Sequence, residues 1–361
     1  MFNFEKILAE YRDYLTFYHE CRIPKHPFFD LDSNQVDERM LVVSSPSRMG
    51  NHLLMSMLDG HRELPSVPGE DGFHMFSFTR ANFDIHSFMQ DIRSESNIEA
   101  MMNIASNGGG SKWRGFSQIK NEQEASQKGY SGVGGHKVSA VVDFEDLVFD
   151  INYAAYKDFL DGHNERLRKA GGYNELLVTY AQALEKLNPN PTKSCYNSYL
   201  VHGAMRTQLL WLCQTMPNVR ILSSVRSFPS YAVSQIKSRY GDVELTKKRL
   251  QEAWEHWYHK VIDILYLRLH FPEQFGLVTF DDLVEESGAA QQAICRFLKI
   301  DHDESMGSAS IFGFPVKGNS WQSRTDKQSG QFYKPANHLS ASQIPPEAAE
   351  IWDSVLATKL K

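Results

Sequence analysis

Closely spaced cysteines, long apolar runs and an excess of positive charge are all missing from this sequence. The 361 residues include four cysteines, Cys21, Cys195, Cys213 and Cys295, which stand far apart and form neither a CxxC pair nor a Cys/His spacing typical of zinc sites. The sequence therefore predicts neither a disulfide framework nor a structural zinc site.

No apolar run approaches the roughly 20 residues that cross a bilayer. The N-terminal stretch "MFNFEKILAEYRDYLTFYHE" mixes apolar and charged residues at helical spacing, which is typical of neither a signal peptide nor a membrane anchor. The formal net charge of -6 argues against a surface built for nucleic acid, so an anionic ligand must be bound by a local cluster. These features predict a protein of the reducing cytoplasm without a transmembrane segment.

Strand-like and helix-like segments alternate along the chain, of which 42% is hydrophobic. Residues 39–45 are typical of a buried strand, and residues 52–61 continue at helical spacing. The same order of strand, short loop and helix recurs at residues 219–239. This alternation predicts an α/β fold with a mostly parallel central sheet flanked by helices, in a single domain spanning residues 1–361.

Several segments complete the outline. We expect a second strand at residues 63–69, a helix at residues 198–216, an acidic turn at residues 281–286 and an irregular segment towards the C-terminus. Residues 75–135 are rich in Gly, Ser, Gln and Lys, and they are interpreted as a flexible insertion or lid.

Residues 246–269 predict a long amphipathic helix rich in aromatic side chains. Its Trp254, Trp257, Tyr258 and Tyr266 could stack on a carbohydrate or pack in the core. Their helical spacing favours core packing.

The loop after the first predicted strand, residues 46–50, has the features of an anion site, and we call it the first loop. Backbone N–H groups at a helix N-terminus face an incoming anion, Gly50 permits close approach, and Arg48 offers a fork for two phosphate oxygens. A nucleotide-hydrolysing P-loop needs a lysine and a magnesium-binding hydroxyl where Asn51 and His52 stand. This counts against a kinase or ATPase. Read alone, the loop also suits an ordinary turn capped by Ser47 or Asn51.

The loop that begins at Arg226, residues 226–227, is the second loop. Arg226 follows a buried strand at its carboxyl end, where open α/β sheets bind ligands. Ser234 lies eight residues further on, about two helical turns into the next helix, where its hydroxyl can point back to the same crevice. Taken alone, Arg226 equally suits a strand-end salt bridge. Two anion sites at the ends of two strands predict a ligand with two separated phosphates.

These motifs resemble those of the PAPS-dependent sulfotransferases, and the carbohydrate-type branch in particular. "SRMGNHLLMSMLDGHREL" is similar to the R-S-G-T-T-L-L stretch that grips the 5′-phosphosulfate of 3′-phosphoadenosine 5′-phosphosulfate (PAPS). "NVRILSSVRSFPSYAVSQ" is similar to the V-R-D-P-R and A-V-x-S signature that clasps the 3′-phosphate. "GLVTFDDLVEE" and "KGNSW" resemble a structural segment and a loop that closes over the cofactor.

The resemblance implies a P-loop NTPase-like sulfotransferase fold, PAPS as donor, PAP as product and no metal. The residues that it implies for cofactor binding are Arg48, Met49, Gly50, Asn51, His52, Leu53, Arg226, Ser234, Lys317, Gly318 and Asn319. Asn51 and His52 replace a Ser/Thr pair of the family, so hydroxyl contacts to the sulfonate are lost, although both side chains can still donate hydrogen bonds.

The expected reaction is sulfonate transfer to a hydroxyl of a carbohydrate, glycolipid or small metabolite, with Arg48 stabilising charge on the leaving phosphate. Glu70 resembles the glutamate of the family's G-E-P-F stretch, and His74 is the rival base because histidine titrates near neutral pH. Both residues also have a non-catalytic interpretation, Glu70 as a turn carboxylate or helix cap and His74 as an ordinary loop histidine. Lys137 matches a family lysine that can reach the sulfonate, and it equally suits a strand-end surface lysine. The alternatives are a degenerate PAP-binding protein and, less favoured, a P-loop kinase.

Overall fold

The computed structural model describes residues 38–65, 85–95, 98, 112–114, 148–165, 173–188, 194–202, 206–240, 244–315 and 339–361, together with residue 9. Its strands are β1 (Met40–Ser45), β2 (Lys112–Arg114), β3 (Val148–Asp150), β4 (Asn197–His202), β5 (Val219–Val225), β6 (Phe275–Thr279), β7 (Ser310–Ile311) and β8 (Phe314–Pro315). Its α-helices are α1 (Asn51–Leu58), α2 (Ile85–Ile92), α3 (Tyr153–Gly162), α4 (Tyr173–Glu185), α5 (Arg206–Thr215), α6 (Phe228–Tyr240), α7 (Lys247–His270), α8 (Phe280–Glu285), α9 (Ser287–Leu298) and α10 (Pro346–Thr358).

Four parallel strands form the central sheet in the order β4-β1-β5-β6. Every residue of β1 and β6 is buried. Strands covered by helices on both faces need such continuous apolar runs. Together with the surrounding helices, this sheet confirms the predicted α/β fold. Two small pairs lie outside it, β2 with β3 in parallel and β7 with β8 in antiparallel.

Helix α7 packs its aromatic side chains into the core, as the helical spacing predicts. The Thr246 side chain accepts a hydrogen bond from the Arg249 backbone and so caps the first turn. Trp257 is fully buried, and Trp254 stacks on it with ring centroids 5.5 Å apart. Phe228 of α6 meets both rings edge to face. This cluster fixes α7 against α6 and thereby against the carboxyl end of β5.

Three sequence predictions are wrong in part. The predicted helix at residues 198–216 begins only at Arg206, because residues 197–202 pair with β1 as an edge strand of the sheet. The predicted acidic turn is the short helix α8. The segment expected to be irregular contains α10, which has a proline in its first turn and buries Ala348, Ile351 and Val355 on one face.

Two further predictions fall only partly on described residues. Residues 61–65 form turns where a strand was predicted, and residues 66–69 lie outside the described part of the chain. Within the predicted insertion at residues 75–135, α2 buries Phe88, Met89 and Ile92. This part of the insertion therefore belongs to the core.

A carboxylate fixes the end of α1 that lies away from the first loop. Asp59 accepts hydrogen bonds from the Ser310 hydroxyl at 2.6 Å, the Phe312 backbone at 3.0 Å and the Gly313 backbone at 2.7 Å. The last two donors form the tight turn between β7 and β8, with φ angles of 52° and 76°. Asp59 thus ties α1 to that hairpin.

Within the described ranges, no helix is long and apolar enough to cross a membrane.

Candidate functional site

The candidate site lies where the order of the strands in the sheet reverses. Strand β1 has β4 on one side and β5 on the other, so the chain leaves β1 in one direction and later continues in the opposite one. Backbone pairing of β1 with β5 ends at Val43 and Leu222, two residues before β1 itself ends. Open α/β sheets bind ligands in the crevice at such a point. The first loop follows β1 there, and the second loop follows β5.

Two serine hydroxyls hold the strand ends and the first loop together. The Ser224 backbone N–H donates to Ser45 Oγ at 2.8 Å, and the two hydroxyl oxygens lie 3.0 Å apart. The Ser224 hydroxyl donates to the Met49 carbonyl at 3.0 Å. Met49 is fully buried, and its sulfur accepts from the Arg226 backbone N–H at 3.4 Å. The first and second loops therefore form one connected unit.

The first loop has an unusual backbone. Arg48 has a φ of 71° and Gly50 a φ of 107°, both in the left-handed region. No side chain caps α1, and its first turn carries no acidic residue. The ordinary turn capped by Ser47 or Asn51 is therefore not what the structure contains. Instead, the positive end of the α1 dipole faces the crevice beside Arg48.

Gly50 has a left-handed backbone conformation and is also closely surrounded by side chains. A Cβ atom at this position would lie 2.8 Å from Cδ2 of Phe280 and 3.3 Å from the Ser224 hydroxyl oxygen. We expect Gly50→Ala to lower the free energy of unfolding by about 2 kcal/mol or more, because strain and overpacking add. Urea denaturation measures this change. Gly288→Ala is the matched control, since a Cβ at Gly288 meets nothing within 4 Å; equal stability of the two variants would contradict the packing described.

Arg226 is a half-buried cation at the crevice. Its guanidinium lies 3.5 Å from the centre of the Phe280 ring, and its buried Nε has no hydrogen-bond partner among the described residues. Burial and the charge of nearby Arg48, opposed by the Asp281 carboxylate, together lower the pKa of Arg226 to about 10. Among the ion pairs of the described residues none includes Arg226. Within the described ranges the salt bridge considered from the sequence is therefore not found, although the Asp281 carboxylate lies close enough to act on the guanidinium.

The backbone of Arg226 is held by the core beneath it. Nε1 of Trp257 donates to the Arg226 carbonyl at 2.8 Å. Because Trp257 is fully buried in α7, this bond fixes the turn from which the arginine side chain projects. Ser234 lies on α6 and is half-buried, two helical turns beyond the start of that helix.

The remaining predicted residues divide into two groups. Asn51 is buried at the start of α1, and His52 and Leu53 are half-buried beside it. The other predicted residues lie outside the described part of the chain: Glu70, His74, Lys137, Lys317, Gly318 and Asn319. The structure thus brings together the residues of the first and second loops, and the candidate bases stay predictions.

Sequence reasoning missed Lys260 of α7, which donates to the Tyr231 hydroxyl of α6 at 3.1 Å. Burial, together with the positive charges of Arg239 and Arg48, lowers the pKa of Lys260 to about 8. A lysine within an amphipathic helix is usually a solvated surface residue. The available signal was its spacing, since Lys260 follows the core residue Trp257 by three positions and so shares its face.

Residues 42–304 match the sequence profile of the Sulfotransferase family. Among solved structures, the chain is similar to the sulfotransferase domain of the Synechococcus PCC 7002 olefin synthase, with 15% identity, a TM-score of 0.42, and 80% of this chain and 79% of that chain covered. It is also similar to the sulfotransferase domain of the curacin biosynthetic pathway, with 14% identity, a TM-score of 0.41, and 90% and 99% covered. No curated protein matches the chain.

Proposed function

The chain belongs to the sulfotransferase family, and on this basis we propose that it transfers a sulfonate group from PAPS to a hydroxyl of an acceptor by in-line displacement. The observation that carries the proposal is Arg226, a half-buried guanidinium with a buried, unpartnered Nε and no ion pair among the described residues, facing the same crevice as the first loop. A charge that has lost part of its hydration is stabilised by an anion.

A donor with two separated phosphates fits these groups. Arg226 and the Ser234 hydroxyl would hold the 3′-phosphate at the end of β5. Arg48 and the backbone N–H groups at the start of α1 would hold the 5′ end. The fit is supported by the unpartnered Nε of Arg226 and by the absence of a side-chain cap on α1.

When bound, PAPS supplies the sulfonate and a phosphate that leaves readily. Arg48 and the α1 dipole would stabilise negative charge on the leaving phosphate. The hydrogen bonds of Ser45 and Ser224 beneath the first loop would keep these donors preorganised. The acceptor proton would pass to Glu70 or His74, with Lys137 as a candidate contact to the sulfonate. The resemblance of the G-E and G-N-S stretches to the carbohydrate-type branch supports a carbohydrate, glycolipid or small-metabolite acceptor.

A second candidate is binding of PAP without turnover. The observation that favours it is the replacement of two family hydroxyls by Asn51 and His52 at the first turn of α1. Donor binding through Arg48 and Arg226 is common to both candidates. Only the transfer of sulfonate separates them.

Ligand binding and transfer are tested in two steps. We expect PAP to raise the melting temperature by several degrees, and ATP with magnesium to raise it much less, because His52 stands where a P-loop kinase or ATPase has its magnesium-binding hydroxyl. Equal or absent shifts would contradict a PAPS site.

The second step is incubation with 35S-labelled PAPS and a panel of neutral and acidic sugars, glycolipids and small alcohols. Label in an acceptor supports the transferase, whereas PAP binding without label on any acceptor supports the second candidate. Glu70→Gln and His74→Ala then identify the base, since the variant lacking the base should lose most of the transfer rate.

A further inference from the structure

Helices α6 and α7 carry further polar and titratable side chains beyond the first and second loops. Tyr231 and Arg239 lie on α6, and His256 and Lys260 lie on α7 at i and i+4. Lys260 is half-buried, whereas Arg239 and His256 are exposed. Partial burial and the charges of Lys260 and Arg239 lower the pKa of His256, against the opposing charges of Glu255 and Glu252.

Lys260 is fixed in position close to the crevice. Its Nζ donates to the Tyr231 hydroxyl at 3.1 Å and lies 5.3 Å from the centre of that ring. Three positions earlier on α7, Trp257 bonds to the carbonyl of Arg226. Residues three apart lie on one helix face. Lys260 therefore projects from the helix face that contacts the second loop.

The charge of Lys260 is not balanced within the described part of the chain. None of the ion pairs there includes this residue. The charges close enough to shift its pKa are those of Arg239 and Arg48, both of the same sign as its own. A charged ammonium group in this position lowers the stability of the folded protein, and a bound anion would offset this loss. One of these two neighbours, Arg48, belongs to the first loop, so an anion bound there would also lie near Lys260.

We propose that Lys260 is a third cationic contact for the 5′ end of the donor, acting with Arg48, and that Tyr231 positions its ammonium group. This inference rests on the proposed function. As the acceptor oxygen bonds to sulfur, the bond from sulfur to the bridging oxygen breaks and its electron pair stays on the 5′-phosphate. Lys260 keeps its proton throughout and stabilises that charge, while the acceptor proton goes to the base.

Three adenosine ligands locate the contact. 3′-AMP carries only the 3′-phosphate, PAP adds the 5′-phosphate, and PAPS adds the sulfonate. We expect Lys260→Met to bind 3′-AMP within about twofold of the wild type and to lose about tenfold or more in affinity for PAP, PAPS or both, as measured by calorimetry at pH 7. Lys260→Arg should retain most of the affinity. Lys248→Met, an exposed lysine in the first turn of the same helix, is the matched control and should change nothing.

The pH dependence gives a second readout. The titratable and charged groups around Lys260 in the described ranges are Tyr231 and Arg239 on α6, Arg48 in the first loop, and His256 and Asp263 on α7. Burial raises the pKa of Tyr231, so this phenol stays neutral. Since the pKa of Lys260 is lowered to about 8, part of the free protein should lack this proton above that pH, and a bound anion should restore it. PAP affinity should therefore fall by up to about tenfold per pH unit above pH 8 in the wild type, and Lys260→Met should lack this fall.

The outcomes separate the two proposals. If the wild type binds none of the three ligands, the PAPS site itself is wrong. If it binds PAP more tightly than 3′-AMP and Lys260→Met keeps that preference, the donor site stands and the role of Lys260 is overturned. An equal loss for all three ligands also overturns it, because that result indicates a general structural change. The melting temperature of unliganded Lys260→Met should equal or exceed that of the wild type, since a half-buried charge has been removed.

Discussion

Arg226→Met is expected to weaken PAP binding at least a hundredfold while leaving the unliganded protein folded and about equally stable. The side chain is half-buried, its buried Nε has no partner among the described residues, and no described ion pair includes it. Two charge-assisted hydrogen bonds to a phosphate in such surroundings account for a loss of about 3 kcal/mol, which is roughly a hundredfold in affinity. Calorimetry with PAP measures the loss, and thermal unfolding measures the stability.

A matched control exists on the same strand. Arg220 lies at the opposite end of β5, where its Nε is also unpartnered and its guanidinium lies 5.9 Å from the centre of the Phe297 ring. Arg220→Met should leave PAP affinity unchanged, because it is remote from the carboxyl edge of the sheet. In the Arg226 variant, 5′-AMP should bind as it does to the wild type, since that ligand lacks the 3′-phosphate. A comparable loss for 5′-AMP would contradict the assignment of the second loop.

The sequence predicted the sheet where local pattern and final environment agree. β1 and β5 are apolar runs followed by a small-residue turn and a helix, and both are buried as such runs require. Strand β4 was predicted as a helix because "NSYLVH" is short and continues into helical spacing. Only its pairing with β1, from Met40 with Asn197 to Ser45 with His202, makes it a strand. That pairing spans more than 150 residues of chain and leaves no local signal.

For the candidate site, the sequence likewise indicated only the residues that follow a predicted strand. Arg48, Gly50 and Arg226 stand next to strand ends, and motif spacing alone identifies them. Lys260 lies in the middle of α7, and its proposed role depends on which face of α7 packs against α6. The hydrogen bond to Tyr231 follows from the packing of two helices, which periodicity does not specify. Residues that reach a site from a packed helix face therefore need the fold to be known.

Arg48→Met is expected to reduce the rate of sulfonate transfer from PAPS by about two to three orders of magnitude, because removing a positive charge from a developing anion costs about 3–4 kcal/mol of transition-state stabilisation. The KM for PAPS should change much less, since Arg226 and the α1 amides continue to bind the donor. Single-turnover measurements with labelled PAPS test this directly. Arg48→Lys should recover part of the rate, because it restores the charge without the guanidinium fork.

The backbone at Arg48 allows its charge to be separated from its conformation. Its φ of 71° is unfavourable for a residue with a Cβ, whereas glycine adopts it freely. Arg48→Gly should therefore raise the free energy of unfolding by about 1 kcal/mol relative to Arg48→Met, and yet it should transfer sulfonate as slowly. If Arg48→Gly were to keep the wild-type rate, the guanidinium would have no part in the reaction. If both variants were equally stable and equally slow, the left-handed turn would be intrinsic to the first loop, and the rate loss would still belong to the missing charge.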